Sequence, residues 1–505
     1  MKKWEIVIAI AGALILGLSA WAIHRTEFPR KDSIIIAGDC HLPVTIVEPS
    51  KTPRGTALVF HGLAADRRIM QTLGDYLAVN DRLTVYLFDL PGHGDNTDPF
   101  SFARADACAR ITVESLIRTG EVNPKRTILV GHSMGGAIVI RAADRAPVAG
   151  TIALSPAPMP LPQRMPANLL VFSAQFDLPI LKRAAQTLAQ AAGGERTNTG
   201  DFLEARAFHL EVTPLSDHVS LLSDPRVFRQ AADWIDRTLG IASHGQTGDT
   251  ESPAYANAAA FVGLLGILLL FPLCVAIAAR IAGPPVADSA AAIPPIKLAL
   301  AEGSVCALAD VLILALFVPL EFLRLYTGDY LASLLLIAGV LLLALNWRAA
   351  KQSFGVTPRT LIGAAVIGFA VMLGIGAWLN WQVADLWMNA PRWLRFTALL
   401  PVTWVYCFSE EVMLGPVGHG RLRAARFALC LALRAELWLA CLLTYYMLAS
   451  GQVLILILVA SLALFSILQR LATDSFRLRT GSPAAAALFG AILAAWFIAA
   501  IFPLT

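Results

Sequence analysis

Apolar residues are spread unevenly along this chain, and their placement limits the fold before any motif is read. One run, from Trp4 to Ile23, follows Lys2 and Lys3 directly. After Tyr255 come about eight more, with cores at 257–279, 298–319, 329–347, 360–380, 396–416, 427–448, 452–470 and 483–503. Each is long enough to cross a bilayer as a helix, which takes ~20 residues. Between them lies a stretch of ordinary soluble character. Hydrophobic residues make up 56% of the chain and charged residues 15%, a balance typical of integral membrane proteins. The expected organisation is an anchor at 1–31, a soluble domain at 32–240, a linker at 241–256 and an all-α membrane domain at 257–505.

The N-terminal run lacks the marks of a cleaved signal peptide, which has a shorter core and a small-residue cleavage site. Trp21, Ile23, His24 and Arg25 follow it instead, so an uncleaved transmembrane anchor is expected. Basic residues then set the topology. Arg280/Lys297, Arg348/Lys351/Arg359, Arg421/Arg423/Arg426 and Arg470/Arg477/Arg479 read as four basic loops, one in every second connection between the spans. The positive-inside rule makes that set cytoplasmic. Counting back from these loops, or forward from Lys2 and Lys3, puts the soluble domain outside the plasma (inner) membrane. The Trp-rich stretch Trp381 to Phe396 reads as a short interfacial helix on that face. Clustering of basic residues beside apolar runs argues against nucleic acid as a partner, and the bilayer lipids are the expected surroundings.

Within 32–240 the pattern changes. VTIVEP, TALVFHG, LTVYLFD, TILVGH, GTIALSP, NLLVFSA and AFHLEV read as strands, with helical stretches between several of them. That alternation implies an α/β fold with a mostly parallel sheet covered on both faces. Gly131-His132-Ser133-Met134-Gly135 fits G-x-x-x-G, a membrane-helix packing motif. It also fits G-x-S-x-G, the turn that presents a nucleophilic serine. Arg126 and Arg141 flank too short an apolar run for the first, and a strand precedes and a helix follows, as the second requires. Gly131, Gly135 and Gly136 give that sharp turn its room.

These features resemble the α/β-hydrolase superfamily over about 210 residues. His61-Gly62-Leu63 stands where that family places its oxyanion loop. Asp89-Leu90-Pro91-Gly92-His93-Gly94 is similar to its D-x-x-G-x-G turn, although Asp95 and Asn96 replace the serine usual shortly afterwards. Ser133, Asp177 and His218 follow in the family's order. The resemblance implies a catalytic triad of Ser133 as nucleophile, His218 as base and Asp177 as the acid that orients it. It implies an oxyanion hole from the backbone N–H groups of Met134 and Leu63. Asp217 is a rival acid, badly placed to reach its neighbour's ring. Asp89, His61 and His93 read as loop-shaping residues. Only APMPLPQRMP lies where the family often inserts a lid, so an open site is expected.

Cys40 and Cys108 are the cysteines of the exported domain, where an oxidising compartment makes a disulfide plausible. The other cysteines lie in apolar spans and read as packing residues. His and Cys spacings fit no zinc pattern, and the serine chemistry calls for no cofactor. Glu302, Asp310, Glu410, Glu411, Arg434 and Glu436 fall within spans, where an unpaired charge costs ~2.5–3.5 kcal/mol. Glu302, Glu410, Glu411 and Arg434 read as one charge cluster in the cytoplasmic half, with Arg434 paired to a carboxylate. The expected protein is a membrane-anchored serine hydrolase acting on acyl esters or thioesters, lipid-like or from the envelope. Two other readings stay open: a transporter-like membrane protein with an accessory hydrolase, and a non-catalytic scaffold. The sequence names no protein partner.

Overall fold

The computed structural model describes residues 3–25, 28–241, 255–285, 295–417, 420–448 and 453–505. Most of the expected linker, 242–254, lies outside them. Two compact units emerge, one of residues 16–264, 378–386 and 503–505, the other of residues 1–15, 265–377 and 387–502. The apolar N-terminal run forms α1 (Lys3–His24).

The first unit is built on an eight-stranded sheet in the order β1-β2-β4-β3-β5-β6-β7-β8. Its strands are β1 (Arg30–Ala37), β2 (Cys40–Val47), β3 (Gly55–Phe60), β4 (Leu83–Phe88), β5 (Thr127–His132), β6 (Gly150–Leu154), β7 (Leu169–Ala174) and β8 (Phe208–Thr213). From β4 to β8 all neighbours are parallel, while β1 and β2 form an antiparallel hairpin laid against β4. Every residue of β5, β6 and β7 is buried, as expected of parallel strands covered on both faces. Between the strands run α2 (Gln71–Asn80), α3 (Phe102–Arg118), α4 (Met134–Arg145), α5 (Pro179–Ala191), α6 (Thr199–Leu203) and, last, α7 (Pro225–Thr238).

Strand residues alternate between two cores. Val59, Val130, Ile152 and Phe172 meet Leu73 and Leu77 of α2 and Phe228 and Ile235 of α7. Ala153, Leu169 and Val171 meet Ile140 of α4 and Ala185 and Leu188 of α5. Fully burying one such side chain is worth ~1.5–3 kcal/mol, so the sheet is a stiff platform for the loops at its edge. The three last residues join this unit: Phe100 N–H donates to Leu504 C=O at 2.6 Å, and Leu504 N–H to Gly92 C=O at 3.0 Å.

The sequence reading missed β1. It is an exposed edge strand whose Ile34-Ile35-Ile36 run lacks alternation. The two-residue turn Gly38-Asp39, with Gly38 at φ 64°, was the available hairpin signal.

The second unit is helical. Helices α8 (Ala256–Ala282), α9 (Ile296–Leu316), α10 (Gly328–Leu345), α11 (Trp347–Ser353), α12 (Pro358–Gln382), α13 (Ala390–Met413), α14 (Arg421–Leu448), α15 (Val453–Thr480) and α16 (Pro483–Ile501) complete the chain, with α8 and α12 shared between the units. Among the described residues seven helices, α1 included, are long and apolar enough to cross a membrane. Helices α13 and α15 also fall on expected spans, but carry charges.

The structure corrects two expectations here. Trp381 to Phe396 is not one interfacial helix: α12 ends at Gln382, and α13 starts at Ala390 after an irregular stretch. The Asn389 side chain, accepting from Arg392 N–H at 3.2 Å, caps α13, and Pro391 occupies its first turn; together they start a helix rather than continue one. Nor are Arg426, Arg470 and Arg477 loop residues. They lie inside α14 and α15 and are 3%, 1% and 0% exposed.

The expected four-residue charge cluster is likewise divided. Glu410 takes Arg434 in a fork, at 2.6 and 2.7 Å. Glu411 turns instead to Arg426 at 2.9 Å, Arg470 at 2.5 Å and Arg477. Glu302 accepts from Asn346 Nδ2 at 2.8 Å. Each carboxylate takes the donor that its own helix face meets, since a buried charge without a partner is costly.

Candidate active site

Ser133 ends β5 and starts α4 in a backbone conformation, φ 53° and ψ −113°, that non-glycine residues rarely adopt. Its neighbours make the turn possible. A Cβ on Gly131 would lie 2.2 Å from Gly135 O, and one on Gly135 would lie 2.2 Å from Phe60 O. Gly136 is looser, with its nearest atom 3.1 Å away. Met134 is the first residue of α4, so its N–H belongs to the unpaired helix start that favours negative charge.

The oxyanion-loop candidate packs on this turn. A Cβ on Gly62 would stand 3.0 Å from Ser133 Cβ and 2.9 Å from His132 Nδ1. Leu63 follows in a tight turn with Ala64 at φ 56°. His61 braces this loop: its Nε2 accepts from Leu90 N–H at 3.0 Å and its Nδ1 donates to Gly62 C=O at 2.7 Å. Burial lowers the His61 pKa, in keeping with a neutral ring acting as donor and acceptor at once.

Asp89 is the anchor behind both loops. It pairs with the Arg67 guanidinium, accepts Arg67 N–H at 2.7 Å and accepts Asp95 N–H at 3.0 Å. Here the departure from the family's turn finds its reason. Asp95 adds a second carboxylate to Arg67 at 2.8 Å, and Asn96 donates to the carbonyls of Asp89 and His41, each at 3.0 Å. Asp66, beside Arg67, accepts from Asp385 N–H at 2.8 Å. Burial, with the nearby charges of Asp89 and Asp385, pushes its pKa up to about 7.

Asp177 follows β7 and its side chain is wholly buried. Its Oδ1 lies 3.0 Å from His218 Nδ1 and accepts Leu178 N–H at 3.0 Å, while its Oδ2 accepts from Ser155 Oγ at 2.5 Å. Asp217 does not compete. It accepts from Val219 and Ser220 N–H at 3.0 and 2.8 Å. Its partial burial raises its pKa, but the Ser220 and Val219 hydrogen bonds outweigh that and lower it.

Two residues of this corner escaped the sequence reading. His132, the variable residue of the elbow, donates from Nε2 to the carbonyl of His218 at 2.9 Å, and the two rings lie 4.7 Å apart. Burial, then the neighbouring His218, holds its pKa well below the usual value. Ser155 is brought there by sheet register. His132 pairs with Leu154 and Leu154 with Phe172, so the next residues, Ser133, Ser155 and Ser173, lie at the same edge. A lid helix is absent between β6 and β7, yet Ser133 is only 5% exposed and the His218 side chain 12%. Cys40 and Cys108 form a disulfide tying β2 to α3.

Comparison with known proteins agrees with this architecture. Residues 57–263 match the profile of the Alpha/beta hydrolase family, and the chain carries a domain of that family. A curated relative, a probable alcohol acetyltransferase of Wickerhamomyces anomalus, is 27% identical over 145 residues. That alignment covers 28% of this chain, and the chain spans 41% of the relative's length. Among solved structures, a predicted CIB-like hydrolase from Thermoplasma acidophilum is similar at 18% identity and a TM-score of 0.33, covering 41% of this chain and 99% of its own. A hyperthermophilic esterase from Pyrobaculum calidifontis gives 14%, 0.34, 46% and 94% for the same measures. An a/b serine hydrolase without lid from Xanthomonas campestris gives 17%, 0.34, 42% and 95%.

Proposed function

We propose that this is a membrane-anchored serine hydrolase that cleaves carboxylic esters or thioesters of lipid-like acyl substrates through an acyl-enzyme. The observation that carries the reading is the hydrogen bond of His218 Nδ1 to buried Asp177, set beside the strained Ser133 elbow. Ser133 Oγ attacks the acyl carbonyl carbon while His218 Nε2 takes its proton. The carbonyl oxygen becomes an oxyanion and rests on the N–H groups of Met134 and Leu63, each donor worth ~10²–10³ in rate. Collapse breaks the C–O or C–S bond, and His218 returns the proton to the departing alkoxide or thiolate. Water then attacks the Ser133 ester, His218 takes a proton from it, and the acid leaves as Ser133 regains its hydrogen. Asp177 keeps His218 in the tautomer with Nδ1–H and stabilises the imidazolium.

A second reading replaces water by an alcohol in the last step, giving a new ester. The similarity to a probable alcohol acetyltransferase favours it. Location outside the cytoplasm is supported by the Cys40–Cys108 disulfide, since such bonds persist in oxidising compartments.

A fluorophosphonate probe should label the intact protein and not Ser133→Ala; equal labelling of both overturns the enzyme reading. With ester substrate and added ethanol, the ratio of ethyl ester to free acid separates transfer from hydrolysis. An alkaline phosphatase fusion after residue 245 should be active; an inactive one reverses the orientation.

A further inference from the structure

We propose that the seam between α9 and α14 carries protons across the membrane, with Asp310 as the carboxyl that binds and releases them. The inference takes the helical unit to span a bilayer and stands apart from the serine chemistry.

Two sets of carboxyls stand out among these helices. Glu410, Glu411 and Asp474 face arginines, and their charges are held in ion pairs. Asp310, Glu302 and Glu436 face no base among the described residues. Asp310 is wholly buried, and neither of its oxygens has a hydrogen-bond partner there. Glu302 takes the Asn346 amide at 2.8 Å and Glu436 the Ser304 hydroxyl at 3.2 Å. An ionised carboxylate without a partner is costly in such surroundings, so the resting form of Asp310 is the neutral acid. A buried acid that can lose and regain its proton is what a proton relay requires.

The neighbours of Asp310 form a line. Glu302, Cys306 and Asp310 recur at every fourth residue, so they share one face of α9 over ~12 Å at ~1.5 Å rise per residue. Cys306 lies within electrostatic reach of both carboxyls. Helix α14 packs closely on α9: a Cβ on Gly303 would stand 2.5 Å from Glu436 Oε2, and Ala307 and Val311 meet Ala440. On the other side of Asp310, the Tyr330 hydroxyl of α10 is within reach of Asp310 and Cys441, and Thr444 stands beside it. Towards Glu302, a cavity lined by Gly303, Cys306, Tyr406 and Glu410 is large enough for water. The titratable groups around Asp310 are thus Glu302 and Cys306 on its own helix, Tyr330 on α10, and Cys441 and Glu436 on α14. None of these is a cation that would hold Asp310 ionised. A transfer breaks the O–H bond of Asp310 as one forms on the accepting oxygen, and the carboxylate regains a proton from the opposite side.

The test uses full-length protein in proteoliposomes, with a pH dye inside and a potassium potential set by valinomycin. Wild type should acidify the lumen about tenfold faster than protein-free vesicles. Asp310→Asn should fall to the protein-free rate, and Asp310→Glu should keep part of the flux. Dicyclohexylcarbodiimide, which modifies protonated carboxyls in apolar surroundings, decides the matter without a variant. It should add to Asp310, spare the arginine-paired Glu410 and Glu411, and block the flux of wild type. Wild-type flux no faster than that of protein-free vesicles overturns the proposal. So does Asp310→Asn conducting like wild type, or a carbodiimide that leaves Asp310 unmodified.

Discussion

His132 donates through Nε2 to the carbonyl of His218 at 2.9 Å, so the residue before Ser133 holds the backbone of the proposed base. Its other ring nitrogen, Nδ1, is buried without a hydrogen-bond partner among the described residues. The ring therefore acts as a one-sided strut between the Ser133 turn and the 217–219 loop. Acting through His218, it is a positioning residue of the proposed site.

His132→Phe keeps the ring and loses the donor. A neutral hydrogen bond is worth ~0.5–1.5 kcal/mol, so kcat for a short ester should fall by up to about tenfold with KM nearly unchanged. His132→Gln can donate to the same carbonyl and should recover part of the loss. A KM effect without a kcat effect, or no rescue by Gln, would remove the positioning role.

What the sequence made legible was whatever has a period or a motif. Seven of eight strands, the Ser133 turn and the long apolar helices could be read from local pattern, while the set Ser133, Asp177 and His218 came from the resemblance to the α/β-hydrolase superfamily. What escaped depended on contacts between distant segments. Ser155 became part of the Asp177 environment only through strand register. Arg426, Arg470 and Arg477 look like loop charges in sequence because pattern alone cannot say that Glu411 waits for them on another helix.

Two sets of buried groups should push stability in opposite directions with pH. Asp66 has its pKa raised from 3.8 to about 7, so the folded state holds a proton that the unfolded chain releases. Its contribution is complete below pH 3.8 and is lost as pH rises through about 7. His132 and His61 have lowered pKa values, both through burial first. Their contribution is complete above 6.5 and is lost as pH falls. In denaturant titrations followed by tryptophan fluorescence, Asp66→Asn should lessen the loss between pH 3.8 and about 7. An unchanged profile in that variant would remove Asp66 as the source.

Gly135→Ala and Gly136→Ala make a paired test of the elbow. The first puts a methyl 2.2 Å from a backbone oxygen, the second only 3.1 Å from its nearest atom. Overpacking costs ~1–3 kcal/mol, occasionally more. Gly135→Ala should therefore lose at least that much stability and most probe labelling, whereas Gly136→Ala should keep both within about 1 kcal/mol and a few-fold. Equal tolerance of the two would contradict the turn geometry.

Cys108→Ser opens a loop of 68 residues. Chain-entropy reasoning assigns such a closure ~4 kcal/mol. The variant, and wild type under reductant, should melt at a lower temperature by similar amounts. Reductant should then have no further effect on the variant. If wild type is insensitive to reductant, the bond does not stabilise the domain.

The charges inside the helical unit differ sharply in what their removal should cost. Glu411 is fully buried and faces three arginines, two of which, Arg426 and Arg470, also share Asp474. Glu411→Gln leaves Arg426 and Arg470 with one carboxylate where they had two, and takes from Arg477 the carboxylate it faces, all in buried surroundings. Breaking a buried ion pair by removing one partner costs ~3–5 kcal/mol. Glu302 meets an amide, Asn346, and Glu302→Gln retains an oxygen to accept that bond. In detergent-solubilised full-length protein, Glu411→Gln should lower the melting temperature strongly and Glu302→Gln little. Replacing Glu411 and Arg477 together should cost less than the sum of the single changes, because the two losses are one pair. Strict additivity would show that the arginines are held apart from Glu411 in the folded protein.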